Sequence, residues 1–109
     1  MTDAERKERL ARNEAIFREV NERLEELEGT REAKWLDLVC ECGNPDCNGP
    51  VRLRVSAYER VRQEPTDFLV APGHVIPDIE TVVETGEGYE VVRKLAGEGR
   101  IARATDPRS

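Results

Sequence analysis

The sequence predicts an α+β domain: a long N-terminal helix, then a small, mainly antiparallel sheet with two short helices, clipped together by a Cys3His zinc site. Three observations lead there. Apolar residues recur at helical spacing through the first part of the chain, and several later runs alternate or stay continuously apolar, as strands do. All three cysteines fall between Cys40 and Cys47, and the one histidine, His74, sits in a tight Pro-Gly loop.

A chain of 109 residues is the size of one domain of about 100 residues plus an appendage, and buries a modest core that benefits from stapling. Hydrophobic residues make up 38% and charged residues 37%, so part of the length is solvated helix or tail. The formal net charge of −6 is spread evenly along the chain and argues against sequence-independent binding to DNA or RNA, which depends on neutralising phosphates. Met1 to Lys7 carries charge where a signal peptide needs an apolar stretch, and no window approaches the ~18 apolar residues of a membrane span. A soluble, cytoplasmic protein is expected. In a reducing compartment, three clustered cysteines are better explained by a metal than by disulfides.

Residues 3–28 read as one helix, with Thr2 or Asp3 as cap, acidic residues in the first turn and Gly29 as the stop. Leu10, Asn13, Phe17, Val20, Leu24 and Leu27 form a 3-4-3-4-3 seam with Ile16 beside it. Glu5/Arg9, Glu8/Arg12, Glu14/Arg18 and Glu19/Arg23 are i,i+4 pairs expected on the solvated faces. The seam either lies on the protein's own sheet or forms a partner-binding or self-association surface, with Asn13 setting register.

After a connector over 30–34, Trp35 to Cys42 reads as a strand: Leu36, Leu38, Cys40 and Cys42 share one face, while Asp37 and Glu41 share the other with Trp35 and Val39. Asn44-Pro45-Asp46 and Asn48-Gly49-Pro50 are turn chemistry, and Val51 to Val55 alternates as a second strand, so the cysteines are expected at a hairpin tip. Ser56-Ala57-Tyr58-Glu59 fits a capping box opening a short helix that ends before Pro65. Phe68 to Ala71 reads as an interior strand, Pro77 to about Thr85 as a second short helix, Gly86-Glu87-Gly88 as a turn and Tyr89 to Leu95 as the last strand. Gly97-Glu98-Gly99 is expected as a loop. The resulting division is 1–29 helix, 30–104 zinc-stabilised domain and 105–109 frayed tail.

The metal pattern is Cys40-x-Cys42-x4-Cys47 followed by His74. A structural zinc ion takes four nitrogen or sulfur ligands in a tetrahedron. Cysteines at i and i+2 stand roughly 6.5 to 7 Å apart on an extended strand, so the chain must bend to join their thiolates, and Gly43 permits the bend. Asp37, Glu41, Asp46 or a water are the alternatives to His74 as fourth ligand. A water would leave the zinc open and make it a Lewis acid. Neither the helix-borne His pair of metalloproteases nor the His-x-Glu signature of zinc deaminases is present, which favours one structural zinc per chain over a catalytic one. Arg52, Arg54, Arg60 and Arg62 form the densest basic run, a solvated face or a candidate anion contact.

Leu38-Val39-Cys40-Glu41-Cys42-Gly43-Asn44-Pro45-Asp46-Cys47, Tyr58-Glu59-Arg60-Val61-Arg62, Phe68-Leu69-Val70-Ala71-Pro72-Gly73-His74 and Gly88-Tyr89-Glu90-Val91-Val92 together carry a resemblance. The chain resembles a family of small uncharacterised proteins of high-GC Gram-positive bacteria that combine a CECG(x3)C motif with a PGH motif. That family has no established activity, so the resemblance implies the paired Cys and His elements and no function. From the residues themselves, the expected role is a zinc-binding, non-enzymatic cytoplasmic adaptor or regulator acting through protein–protein contacts. A nucleic-acid-binding module of transcription or translation is the alternative, and a zinc-dependent hydrolase the third.

Overall fold

A computed structural model describes residues 2–28, 35–44, 46–47 and 49–108. The Gly29 stop, the connector over 30–34, Pro45, Asn48 and Ser109 lie outside the described residues. The elements are α1 (Asp3–Glu28), β1 (Trp35–Val39), β2 (Pro50–Arg54), α2 (Val55–Arg62), β3 (Asp67–Val70), β4 (Glu80–Gly86), β5 (Tyr89–Lys94) and α3 (Ala96–Ala104). Every strand pairing is antiparallel, and the strands divide into a β1–β2 hairpin and a three-stranded sheet of order β3-β5-β4. Leu36, Leu38, Val51 and Leu53 of the hairpin join Tyr58, Phe68, Leu69, Val70, Val92 and Ala102 in one apolar core.

α1 starts where the cap chemistry places it: Thr2 Oγ1 accepts the Glu5 N–H at 3.1 Å. Its inward face, however, is not the apolar seam. Ala11, Glu14, Arg18, Asn21 and Glu22 are buried, whereas Val20 is 38% and Leu27 79% exposed, and Leu10, Phe17 and Leu24 are only half-buried. The buried stripe lies one residue, or about 100°, around the helix from the expected one. Its side chains satisfy backbone groups of the elements beneath. Asn21 accepts the Val39 N–H at 2.9 Å and donates to the Val39 carbonyl at 2.8 Å, standing in for a strand on the open edge of β1. Arg18 donates to the carbonyls of Pro65 (2.7 Å) and Ala102 (2.8 Å) and to Thr105 Oγ1 (3.1 Å), and its guanidinium lies 4.5 Å from the Phe68 ring centroid. Glu14 and Arg18 therefore do not form the expected surface pair, while Glu8–Arg12 and Glu19–Arg23 do.

Glu41 corrects another expectation. Instead of facing solvent it is fully buried, with both oxygens bonded to Arg62 (2.8 and 3.2 Å), Oε2 to Asn21 Nδ2 (2.6 Å) and Oε1 to the Leu69 N–H (2.9 Å). Its own N–H donates to the Leu69 carbonyl at 2.8 Å, which joins the hairpin to the three-stranded sheet. A second buried cluster places Lys94 between the carboxylates of Glu14 and Glu80.

Three local expectations change. The stretch read as a helix from Pro77 is a turn followed by β4, because Thr81, Val82, Val83 and Thr85 are strand-forming side chains and outweigh the Pro signal. The Gly97-Glu98-Gly99 stretch is the first part of α3, where Gly99 is buried and a Cβ would make ordinary contact with Thr66 Cγ2 at 3.5 Å and the Lys94 carbonyl at 3.8 Å. α2 opens on Arg54 with no side-chain cap, so Ser56 caps nothing. The end of the chain is tied rather than frayed through residue 108, since Arg108 pairs with Glu22 (2.7 Å), Glu25 (3.1 Å) and Glu59 (2.5 Å).

Two expected outcomes follow from the buried charges. Glu41→Gln leaves Arg62 buried and uncompensated and should cost about 3–5 kcal/mol in urea denaturation, with much of the loss recovered when Arg62→Met is added. Burial pushes the Glu14 carboxyl up to about 9, with the Glu80 charge adding and Lys94 opposing. A raised carboxyl holds a proton in the folded state that the unfolded chain has released, so its contribution is complete below the ordinary carboxylate range and is lost as pH rises toward about 9. Glu14→Gln should flatten the fall in stability between about pH 5 and 9; an unchanged slope would show that Glu14 is ionised in the fold.

Candidate metal centre

The cysteine loop closes the β1–β2 hairpin. The ladder continues one step past Val39 as the Cys40 N–H donates to the Gly49 carbonyl at 3.0 Å, and the chain then turns away through Gly43 at φ +82°. This left-handed conformation turns the chain after Cys42, so that Cys47 returns beside Cys40 and Cys42. Asn44 organises the far side: its Oδ1 accepts the Asp46 N–H at 2.9 Å and its carbonyl accepts the Cys47 N–H at 3.0 Å. His74 arrives from the other sheet. Ala71-Pro72-Gly73-His74 is a type II turn, with Gly73 at φ +82° and the His74 N–H bonded to the Ala71 carbonyl at 3.1 Å.

The result brings together all four residues singled out in the sequence. Cys40, Cys42, Cys47 and His74 each offer a donor atom, and these atoms lie within 4.8 Å of one another. His74 presents Nδ1, which stands 3.6 Å from Cys40 Sγ and 3.5 Å from Cys47 Sγ. The Ala71 N–H donates to Cys40 Sγ at 3.1 Å, and burial raises the Cys40 and Cys42 thiols above their usual range, opposed by N–H bonds from Ala71 and Asn44. Among the described residues this is the one group of His, Cys, Asp and Glu side chains that could hold a metal ion. Glu41, an alternative fourth ligand by sequence, is spent on Arg62.

α1 abuts the loop directly. Asn13 Nδ2 donates to the Gly43 carbonyl at 3.1 Å, and a Cβ on Gly43 would meet Glu14 Cγ and the Leu10 carbonyl at 2.9 Å. Of the expected partner-binding seam, Leu10 and Asn13 thus serve the metal loop, Phe17 and Leu24 are half-buried, and Val20 and Leu27 with Ile16 face outward. The expected basic run is dispersed. Arg62 is buried on Glu41, Arg60 pairs with Glu84 at 3.0 Å, Arg52 pairs with Asp37 at 3.4 Å, and Arg54 lies 4.6 Å from the Trp35 ring centroid. Arg62 is therefore removed from the candidate anion contact.

No protein family, curated protein or solved structure matches this chain. None of the described helices is long and apolar enough to cross a membrane.

Gly43 and Gly73 share the same φ but not the same surroundings, since a Cβ at Gly73 meets nothing within 4 Å. Gly73→Ala should cost only the conformational strain of about 1–3 kcal/mol, whereas Gly43→Ala adds a clash with the α1 backbone and should cost clearly more. Equal losses in chemical denaturation would mean that α1 does not press on the loop.

Proposed function

We propose that this chain is a zinc-stabilised, non-enzymatic binding module of the cytoplasm, in which the metal holds the hairpin tip against the end of β3 and so fixes a surface for protein contacts. One observation carries the zinc assignment. A tetrahedron with zinc–sulfur bonds of ~2.3 Å and zinc–nitrogen bonds of ~2.0 to 2.1 Å has S···N edges of about 3.6 Å. The two S···Nδ1 separations are 3.6 and 3.5 Å. Three thiolates and one imidazole are soft enough to select zinc among the common divalent ions.

Four protein donors complete a structural shell and leave no position for a water, so the set supports cross-linking over hydrolysis. With a formal charge of −6 and the arginines of the basic run engaged by Glu84, Asp37, Trp35 and Glu41, a nucleic-acid partner is poorly supported. Protein contact has a candidate surface in Ile16, Val20 and Leu27, which stay exposed on a helix whose inner face is already occupied.

Metal analysis of protein purified without affinity metals should find one zinc per chain, lost in both Cys42→Ser and His74→Ala. Chelation of the wild type should lower the thermal midpoint by about 10 °C or more, the shift that ~2 kcal/mol produces in a domain of this size. A metal-free wild type with an unchanged midpoint, or zinc retained by the His74 variant, would overturn the assignment.

A further inference from the structure

We propose that the cavity between α1 and the metal loop binds the C-terminal residue of a partner polypeptide, an aliphatic residue with its free carboxylate. The proposal rests on the reading of the chain as a protein-binding module and names what it takes. The cavity has a volume of about 570 Å³, within the range of about 300–1,000 Å³ that small ligand sites span. Leu10 and Ile76 supply its apolar lining, Arg6, Arg9 and Asn13 its polar one, and the metal ligands Cys42 and His74 border it.

The two guanidiniums differ. Arg6 is engaged by Asp3 and Asp78. Arg9 is exposed and has no hydrogen bond or ion pair among the described residues. Asn13 spends its amide N–H on the Gly43 carbonyl, which leaves Oδ1 as an acceptor. Arg9 and Asn13 stand four residues apart on one helix face, about 5–6 Å between Cβ atoms, with Leu10 between them in sequence. That is the span of a single residue. A cation, an apolar contact and an acceptor in this order complement a terminal carboxylate, an aliphatic side chain and the N–H of the same residue. An acidic side chain within a peptide could engage Arg9, but that residue would then have no aliphatic side chain of its own to set against Leu10 and Ile76. An unpaired cation in a chain of formal charge −6 also favours an anionic occupant.

Arg9 has one competing role. A zinc centre with three thiolates carries a net negative charge, and a guanidinium nearby would offset it. The two roles separate by experiment. Zinc-loaded full-length protein is titrated with N-acetyl-L-leucine and, in parallel, with N-acetyl-L-leucinamide, following backbone and Asn side-chain amides by NMR. Saturable shifts at Asn13, Gly43 and Gly73 are expected with the acid at a Kd of about 1 mM, and binding about tenfold weaker or more with the amide. Arg9→Gln should weaken the acid to the level of the amide while keeping one zinc per chain. Equal binding of acid and amide, no saturable shift, or loss of zinc from Arg9→Gln would overturn the proposal. A wild type that lacks zinc yet binds the acid in this pattern would remove the metal assignment and leave the carboxylate site standing.

Discussion

The buried carboxylate of Glu41 is the interaction on which the other elements depend. It sits between two metal-ligand cysteines, and strand alternation turns Cys40 and Cys42 to one side and Glu41 to the other. Its oxygens meet Arg62 of α2, Asn21 of α1 and the backbone of β3, while its N–H reaches the Leu69 carbonyl. An ionised carboxylate taken out of water is costly unless every one of these partners is in place, so the strand can enter the core at one depth only. That depth sets where the two sulfurs emerge. The metal loop is therefore positioned from behind by an ion pair before any cation binds in front.

The same requirement explains why α1 docks through polar side chains. β1 has β2 on one side and no strand on the other, so the Val39 N–H and carbonyl would be stranded under a helix that offered only leucines. Asn21 meets both. Arg18 does the same for the Pro65 and Ala102 carbonyls, and Asn13 for Gly43. A helix that must satisfy backbone groups beneath it cannot also bury its most apolar stripe, and here that stripe is turned partly outward by about 100°.

Much of the architecture was legible because it follows local chemistry. Thr2 caps α1, Gly43, Gly73 and Gly88 take the left-handed conformations that turns demand, and the hairpin pairs Leu36 with Leu53 and Leu38 with Val51 as the alternation required. The four candidate metal-binding residues were legible because three cysteines within eight residues call for a partner, and His74 is the one imidazole in the chain. What could not be read were the charged residues that fold inward. Glu14, Arg18, Glu41, Arg62, Glu80 and Lys94 look like solvated-face residues in composition, and nothing in a one-dimensional period distinguishes a glutamate facing water from one facing an arginine two elements away. β4 and α3 were missed for a narrower reason. Pro77, Gly97 and Gly99 are breaker residues by local rule, but the β-branched run after Pro77 forms β4 and the first turn of α3 accommodates both glycines.

Metal loop and helix form one unit, and this bears on what the metal is for. Gly43 has no space for a Cβ because α1 lies against it, and Asn13 holds its carbonyl, so one wall of the cavity is set by the helix and the facing wall by the loop that the thiolates close. The loop wall is held by the Asn13 and Asn44 hydrogen bonds, and a cross-link through the three thiols and His74 would stiffen it further. A cation held by Cys40, Cys42, Cys47 and His74 would supply that cross-link. Under the proposed carboxylate-binding role, a ligand that favoured the metal-bound form would tighten the metal by the same factor. On the proposed reading, a metal held by these four residues fixes a distance across the cavity between α1 and the loop.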